Sequence, residues 1–378
     1  MKTTDMPVVE LSGTPRERGR LYGESCKSLI AQVVEAWCAD LGNYGRARGL
    51  GRTGGPEAYL KAFLSDTDYL RSIEQWAPSL LEEVKGIAEG SGQPFDIILG
   101  LQLMDEEWVY GLHQGLKKPT TKCTAFGVSG QANSTSYAGQ NMDIPSWVEG
   151  KQVLLRIMPT QDAPETLVFA FAGIIGLNGM NAEGLGITCN TLSQLRSSTD
   201  GLPVSFIVRS VLEKQSIEEA EQFIGAIKHA SGQNFILSSQ EQMRCFECSA
   251  GRVIRYAPKD QQGRVFHTNH PLVNKDNDER LPEREHQHSA NSCARLESIS
   301  ERLSDSDHAI TIADIKAALG AHDDPSNPVS RRINPENSNS SIGYTAGSSI
   351  YELGVKPRLH FAAGPPCETE FEIFRFSH

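Results

Sequence analysis

The order of apolar and polar positions divides the chain into two textures that meet at Cys123. Residues 1–122 read as helical. In "RERGRLYGESCKSLIAQVVEAWCADLG" (16–42), Leu21, Leu29, Val33, Val34, Trp37 and Leu41 recur at spacings of three and four, as on one helix face. "SDTDYLRSIEQWAPSLLEEVKGIAEGSG" (65–92) repeats the pattern, with a Ser/Asp start, a proline break and a glycine stop at Gly90. "PFDIILGLQLMDEEWVYGL" (94–112) predicts a third helix, and a Gly/Lys/Pro/Thr loop runs on to Lys122.

From Cys123 onward the pattern is that of strands. "CTAFGVSG", "TSYAGQNMD", "QVLLRIMP", "ETLVFAFAG" and "GLGITCN" follow one another across short turns. A helical pair is predicted in 203–230, then strands at "NFILSSQ", "QMRCFECS", "RVIRYAP" and "RVFHTNH". Helices over 293–305 and 311–322 precede the closing strands "GSSIYELGV", "RLHFAAG" and "EFEIFRF". Two sets of strands separated by helices predict an α+β fold, two sheets with helical layers outside. The Asn/Ser-rich run 334–347 is expected to form an ordered polar loop near a site.

Composition narrows the function classes. A chain of 378 residues with 39% apolar content can build a large core. A net charge of −11, with no long Lys/Arg run, argues against a nucleic-acid partner. No apolar run approaches bilayer length, and "MKTTDMPVVELSG" lacks a signal-peptide core, so no membrane partner and a cytoplasmic location are expected. Eight cysteines are too sparse for a disulfide scaffold and read as reduced thiols.

A cysteine that opens a strand can be a packed small residue, a metal ligand or a nucleophile. "CFEC" (245–248) has metal-ligand spacing, yet residues three apart on a strand face opposite sides. The dense histidine pair His286 and His288 lies in an acidic surface segment, and no metal is expected. Gly-x-Ser-x-Gly, dinucleotide and phosphate-loop patterns are absent, and no cofactor is expected. As a nucleophile, Cys123 would need a base, an oxyanion donor and an orienting group. Asp143 ends the next strand, where a hairpin returns it beside the start of the first. Asn269 follows a strand, where an amide can enter a cleft. The imidazoles of His267 and His270 are the conventional bases at hand. Were the chain cut before Cys123, the new α-amino group would serve instead, its pKa of about 7.7–8.0 lying just below the thiol's roughly 8.5.

Residues 123–143, "CTAFGVSGQANSTSYAGQNMD", resemble the peptidase C45 family of N-terminal-nucleophile hydrolases, which spans acyl-coenzyme A:6-aminopenicillanic acid acyltransferases and β-alanyl-amine hydrolases. The resemblance continues through "GMNAEGLGITCNTL" (179–192), "FHTNHPL" (266–272) and "SSIYELGVKPRLHFAAGPP" (348–366), most of the chain. It implies a four-layer αββα sandwich and self-cleavage at Lys122–Cys123. A helical α chain (1–122) would stay bound to a catalytic β chain (123–378), an αβ heterodimer from one precursor, alone or in a higher oligomer. Cys123 matches the nucleophile, Asp143 the carboxylate that holds its α-amino group, and Asn269 the oxyanion-hole amide. Asn190, Tyr344 and Gln140 fall among substrate-binding or oxyanion positions, the last two where relatives carry arginine. Lys122 stands where the best-known members have glycine.

The implied reaction is hydrolysis of the amide bond of an N-acyl small molecule through an acyl-thioester. Two alternatives keep the fold. One is N-acyl transfer from an acyl-coenzyme A donor, with the same catalytic residues. The other is an uncleaved, non-catalytic binding protein.

Overall fold

In the computed structural model, which describes residues 6–47, 55–115, 122–130, 135–258, 263–304, 309–334 and 343–377, a largely helical first part leads into two sheets. Strand β1 (Val8–Leu11) precedes α1 (Pro15–Ser25), α2 (Lys27–Ala47), α3 (Gly55–Ser65), α4 (Tyr69–Trp76), α5 (Pro78–Ser91), α6 (Phe95–Gln102) and α7 (Met104–His113). There follow β2 (Lys122–Val128), β3 (Ser136–Pro145), β4 (Gln152–Ile157), β5 (Thr166–Phe171), β6 (Asn178–Asn181), β7 (Gly186–Thr191), α8 (Val204–Leu212) and α9 (Ile217–Ala226). β8 (Gln233–Ser238), β9 (Met243–Cys248), β10 (Val253–Tyr256) and β11 (Arg264–His267) lead to α10 (Ala290–Leu303) and α11 (Ile312–Leu319). β12 (Gly343–Leu353), β13 (Arg358–Ala362) and β14 (Glu372–Arg375) close the chain.

The first sheet has the order β11-β2-β3-β12-β13-β14, and the second β1-β4-β5-β6-β7-β8-β9-β10. Their inner faces meet where Ala125 and Val265 pack on Ile236 and Cys245. Outside the first sheet, Ile299 and Leu303 of α10 and Ile315 of α11 bury Phe126 and Phe266. Outside the second, α8 lies on β6 and β7, and α9 on β8. The αββα layering and the α+β class expected from the sequence are therefore the observed ones.

Several details differ from the sequence reading. The first part is not wholly helical, because β1 pairs in parallel with β4 at the edge of the second sheet. Four residues, "VVEL", are too few to show a period. The long pattern over 16–42 is two helices that part at Cys26. That break resets the phase, so Leu21 is exposed and Tyr22 faces the core. Gly90 does not stop its helix, which runs to Ser91 and ends on Gly92 at φ 73°. Gly90 is a packing residue, since a Cβ there would stand 2.1 Å from the Arg20 carbonyl oxygen. The third predicted helix divides at Leu103 into α6 and α7. Cys245 and Cys248, as the alternation required, belong to different apolar clusters. Residues 116–121 of the loop before Lys122, and 335–342 of the polar run, lie outside the described residues. Among those described, no helix is long and apolar enough to cross a membrane.

The residues before and after Cys123 share one core. Tyr22 donates its hydroxyl to the Phe171 carbonyl oxygen at 3.1 Å, and Gln102 grips the same bend through Gly173 and Ile175. Beneath them the buried carboxylate of Glu83 on α5 pairs with Arg209 of α8 at 2.7 Å and with Arg18 of α1 at 3.2 Å. Breaking a buried pair of this kind costs about 3–5 kcal/mol, because one charge is left uncompensated.

Candidate active site

Cys123 stands at the second position of β2, opposite Met142 of β3, which puts both side chains on one face. The thiol is 5% exposed and lies 3.4 Å from the Met142 sulfur. Burial first, and the negative Asp143 second, push its pKa up to about 12. A hydrogen bond from the Asp143 backbone and the positive Arg295 oppose that rise.

The main-chain N–H of Cys123 donates to Asn269 Oδ1 at 2.7 Å. Asn269 follows β11, the edge neighbour of β2, so strand pairing carries its amide to the head of β2. Its Nδ2 donates to the Thr191 carbonyl oxygen at 3.2 Å, and its N–H to Ser292 Oγ at 2.8 Å.

Arg295 completes this frame, and the sequence reading did not single it out. Fully buried on α10, it donates to the Cys123 carbonyl oxygen at 2.5 Å, Thr124 Oγ1 at 2.8 Å, Asn269 Oδ1 at 2.9 Å and Asn291 Oδ1 at 2.8 Å. Burial lowers its pKa to about 10, so it remains charged at neutral pH. A signal existed: Arg295, Ile299 and Leu303 recur every four residues, which places an arginine on the buried face of an amphipathic helix.

Asp143 is directly opposite Lys122 in the β2–β3 register. Its Oδ1 accepts from Thr345 Oγ1 at 2.6 Å, while Oδ2 is buried without a hydrogen-bond partner among the described residues. Burial raises its pKa against the pull of Arg331, Arg295 and Thr345. Thr345, one residue after the sequence candidate Tyr344, is thus the β12 residue that touches the carboxylate.

The other sequence candidates lie around this centre in different roles. Asn190 is buried on β7, its Oδ1 accepting from Asn234 at 3.0 Å and its Nδ2 without a partner among the described residues. Gln140 has both ends of its amide on the Cys189 main chain, accepting its N–H at 3.1 Å and donating to its carbonyl oxygen. It thereby ties β3 of one sheet to β7 of the other. Tyr344 is buried against Gln152, whose Nε2 donates to the phenol oxygen at 2.9 Å. His267 contacts Glu247 at 2.8 Å, and His270 Nδ1 lies 2.8 Å from Ser292 Oγ. Both rings are engaged away from the thiol.

A cavity of about 40 Å³ opens beside Cys123, and both parts of the chain build it. Met104 and Trp108 come from α7, Phe171 and Leu177 from the second sheet's margin, and Val208 from α8. Two carboxylates, Asp143 and Asp105, join this apolar wall, the second held at Oδ2 by Thr191 and Gln233, each at 2.7 Å. Cys189 also lines the cavity, but burial raises its thiol well above the usual range and it donates to the Leu177 carbonyl oxygen.

The arrangement is that of a thiol at a strand head, a buried carboxylate across the hairpin, and an amide on the adjoining nitrogen. The model of one family, described as acyl-coenzyme A:6-aminopenicillanic acid acyl-transferase, matches residues 130–356, more than half of the chain. Acyl-coenzyme A:6-aminopenicillanic-acid-acyltransferase 40 kDa form of Emericella nidulans is 28% identical over 270 residues, 70% of each chain. Among solved structures, conjugated bile acid hydrolase from Clostridium perfringens superposes with a TM-score of 0.45 at 13% identity, over 68% of this chain and 97% of that one. Penicillin V acylase from Agrobacterium tumefaciens gives a TM-score of 0.42 at 17% identity, over 64% and 84%.

Proposed function

The chain belongs to the acyl-coenzyme A:6-aminopenicillanic acid acyl-transferase family, and we propose that it is a self-processing amide hydrolase whose nucleophile is Cys123. The observation that carries this reading is the setting of Cys123: its main-chain nitrogen is on Asn269, and its side chain is on an apolar cavity. In the first reaction the Cys123 sulfur attacks the Lys122 carbonyl carbon. The C–N bond breaks as the nitrogen takes up a proton, leaving residues 1–122 as a thioester on the sulfur. Water then cleaves the thioester, giving the Lys122 carboxylate and the free thiol beside the α-amino group that the broken C–N bond left.

That amino group is the base for turnover. Its reference pKa of about 7.7–8.0 sits near the working pH, where a proton relay is most effective. Asn269 Oδ1, already on this nitrogen, accepts one of its hydrogens, and Asp143 Oδ2, unpartnered among the described residues, offers a carboxylate to the ammonium form. The thiolate attacks the substrate amide carbon, and the Asn269 amide N–H stabilises the oxyanion. The ammonium returns its proton to the leaving amine, and water releases the acyl group as the acid. The cavity walls favour an apolar acyl group, since the side chains of Leu101, Met104, Phe171 and Val208 offer it no hydrogen bond.

The α chain stays bound in this reading, because Glu83 on one side of the cut pairs with Arg209 on the other. N-acyl transfer from an acyl-coenzyme A donor is the second reading, favoured by what the Emericella nidulans relative is named for. An amine then replaces water in the last step. Two measurements test these readings. The first is the mass of the purified chain, which should resolve into 1–122 and 123–378. The second is amine release from N-acyl amides of graded chain length, compared with N-acylation of amines by acyl-thioesters. A chain that stays whole and turns over neither set would overturn both readings and leave a binding protein.

A further inference from the structure

We infer that His270, His288 and Cys293 form a binding site for a zinc ion on the flank of the active-site loop. One ligand atom from each residue lies within 4.8 Å of the other two. The three come from separate places: the loop after β11, the residue before the Ser289 cap of α10, and the first turn of that helix. Two imidazoles and a thiol are a donor set that suits zinc, and the fourth tetrahedral position is open to water.

The buried member is already oriented. Ser292 Oγ donates to Thr268 Oγ1 at 3.0 Å, and Thr268 Oγ1 donates in turn to the Ser292 carbonyl oxygen at 2.9 Å. Ser292 Oγ then has only lone pairs left. It accepts the Asn269 N–H at 2.8 Å and a proton from His270 Nδ1 at 2.8 Å. That network puts the ring proton on Nδ1 and leaves the Nε2 lone pair for a metal. The far N–H of a ligating histidine is held by a hydrogen-bond acceptor in such sites, and Ser292 Oγ is the acceptor here.

The two other members are exposed and free to close on the ion. Bonds of about 2.0–2.3 Å to zinc put tetrahedral ligand atoms roughly 3.3–3.7 Å apart, a small movement from the present spacing. The rings of His270 and His288 are already neighbours, tilted by 40° with centroids 4.5 Å apart. Cys293 binds as the thiolate and passes its proton to solvent. His286, which the sequence pairs with His288, is turned away to the Asp278 carbonyl oxygen at 3.0 Å. The ion would bridge the loop that carries Asn269 to the start of α10, and so brace the amide that holds the Cys123 nitrogen.

The test uses the full chain carrying Cys123→Ala, which removes the chelate that a free N-terminal cysteine would make. Zinc chloride is titrated against a chromophoric chelator, and cobalt(II) is added separately to read thiolate ligation by its charge-transfer band. One zinc per chain is expected, with a rise in Tm as zinc exceeds its Kd. Adding Cys293→Ser or His288→Gln should weaken binding at least tenfold, and Cys293→Ser should abolish the cobalt band. No binding by the Cys123→Ala chain, or undiminished binding in both added variants, overturns the site. Because the measurement reads metal and not turnover, it stands apart from the proposed hydrolase activity.

Discussion

The Cys123 main-chain N–H and the Asn269 side-chain oxygen are 2.7 Å apart, and the Arg295 guanidinium shares that oxygen at 2.9 Å. One amide thus holds the nitrogen that self-cleavage would release, while a buried cation fixes which way the amide faces. With Oδ1 on the nitrogen, Nδ2 is the end left for an oxyanion. It rests meanwhile on the Thr191 carbonyl oxygen.

Cys123→Ala should give a single uncut, folded and inactive chain, whereas the wild type yields 1–122 and 123–378 eluting together. The lost contact is chiefly that of one sulfur with Met142, so Tm should stay near that of the precursor. Intact mass and N-terminal sequencing decide the matter. A new terminus other than Cys-Thr-Ala-Phe, or a cut Cys123→Ala chain, would end the self-processing assignment.

Asn269→Ala should lower kcat by about a hundredfold or more, the usual loss for one oxyanion donor. Its cleavage should slow as well, since the Cys123 nitrogen loses its acceptor. Circular dichroism should be unchanged. Full turnover by the variant would make Asn269 purely structural.

Arg295→Met removes a positive charge that restrains the burial-driven rise of the Cys123 thiol pKa, which stands at about 12 with that charge in place. The thiol pKa should therefore rise further, and less thiolate should exist at any given pH. The rate of self-cleavage, which grows with pH below that pKa, should shift its whole profile to higher pH. Arg295→Lys should restore part of the shift. A uniform loss at every pH would show packing alone.

Glu107 is buried on α7, and burial raises its pKa to about 7, against an accepted hydrogen bond from Tyr59 at 2.6 Å. A carboxyl whose folded pKa lies above its unfolded value of about 4.3 binds its proton more tightly in the folded chain. Its contribution is complete below that unfolded value and is lost as pH rises through about 7. Glu107→Gln keeps an acceptor for Tyr59 and cannot ionise. It should gain stability over the wild type at pH 8, by roughly 3–4 kcal/mol, and little at pH 4. Urea unfolding at the two pH values measures the difference, and equal differences at both would contradict the burial account.

The site was legible where it is local and obscure where it is not. Alternation marked β2 and β3, and a hairpin of that length returns Asp143 to the start of β2, where the register sets it opposite Lys122. The change of texture at Cys123 picked out the thiol, and the run "HTNHP" brought Asn269 into view. Arg295 and Thr345 reach their partners across 172 and 202 residues, and nothing in their neighbourhood names those partners. Gln140 shows the same limit from the other side, for its position was noted while its use as a brace on Cys189 depends on how the sheets face each other. The sequence by itself determined that a mainly helical part precedes a mainly strand-forming one, the layers, and which thiol stands near the head of β2. Only the tertiary structure decided which cation sits on the Cys123 carbonyl, which hydroxyl holds Asp143, and which histidine meets Cys293. Periodicity encodes the face a residue turns inward, and the partner it meets there is set by how separate layers pack.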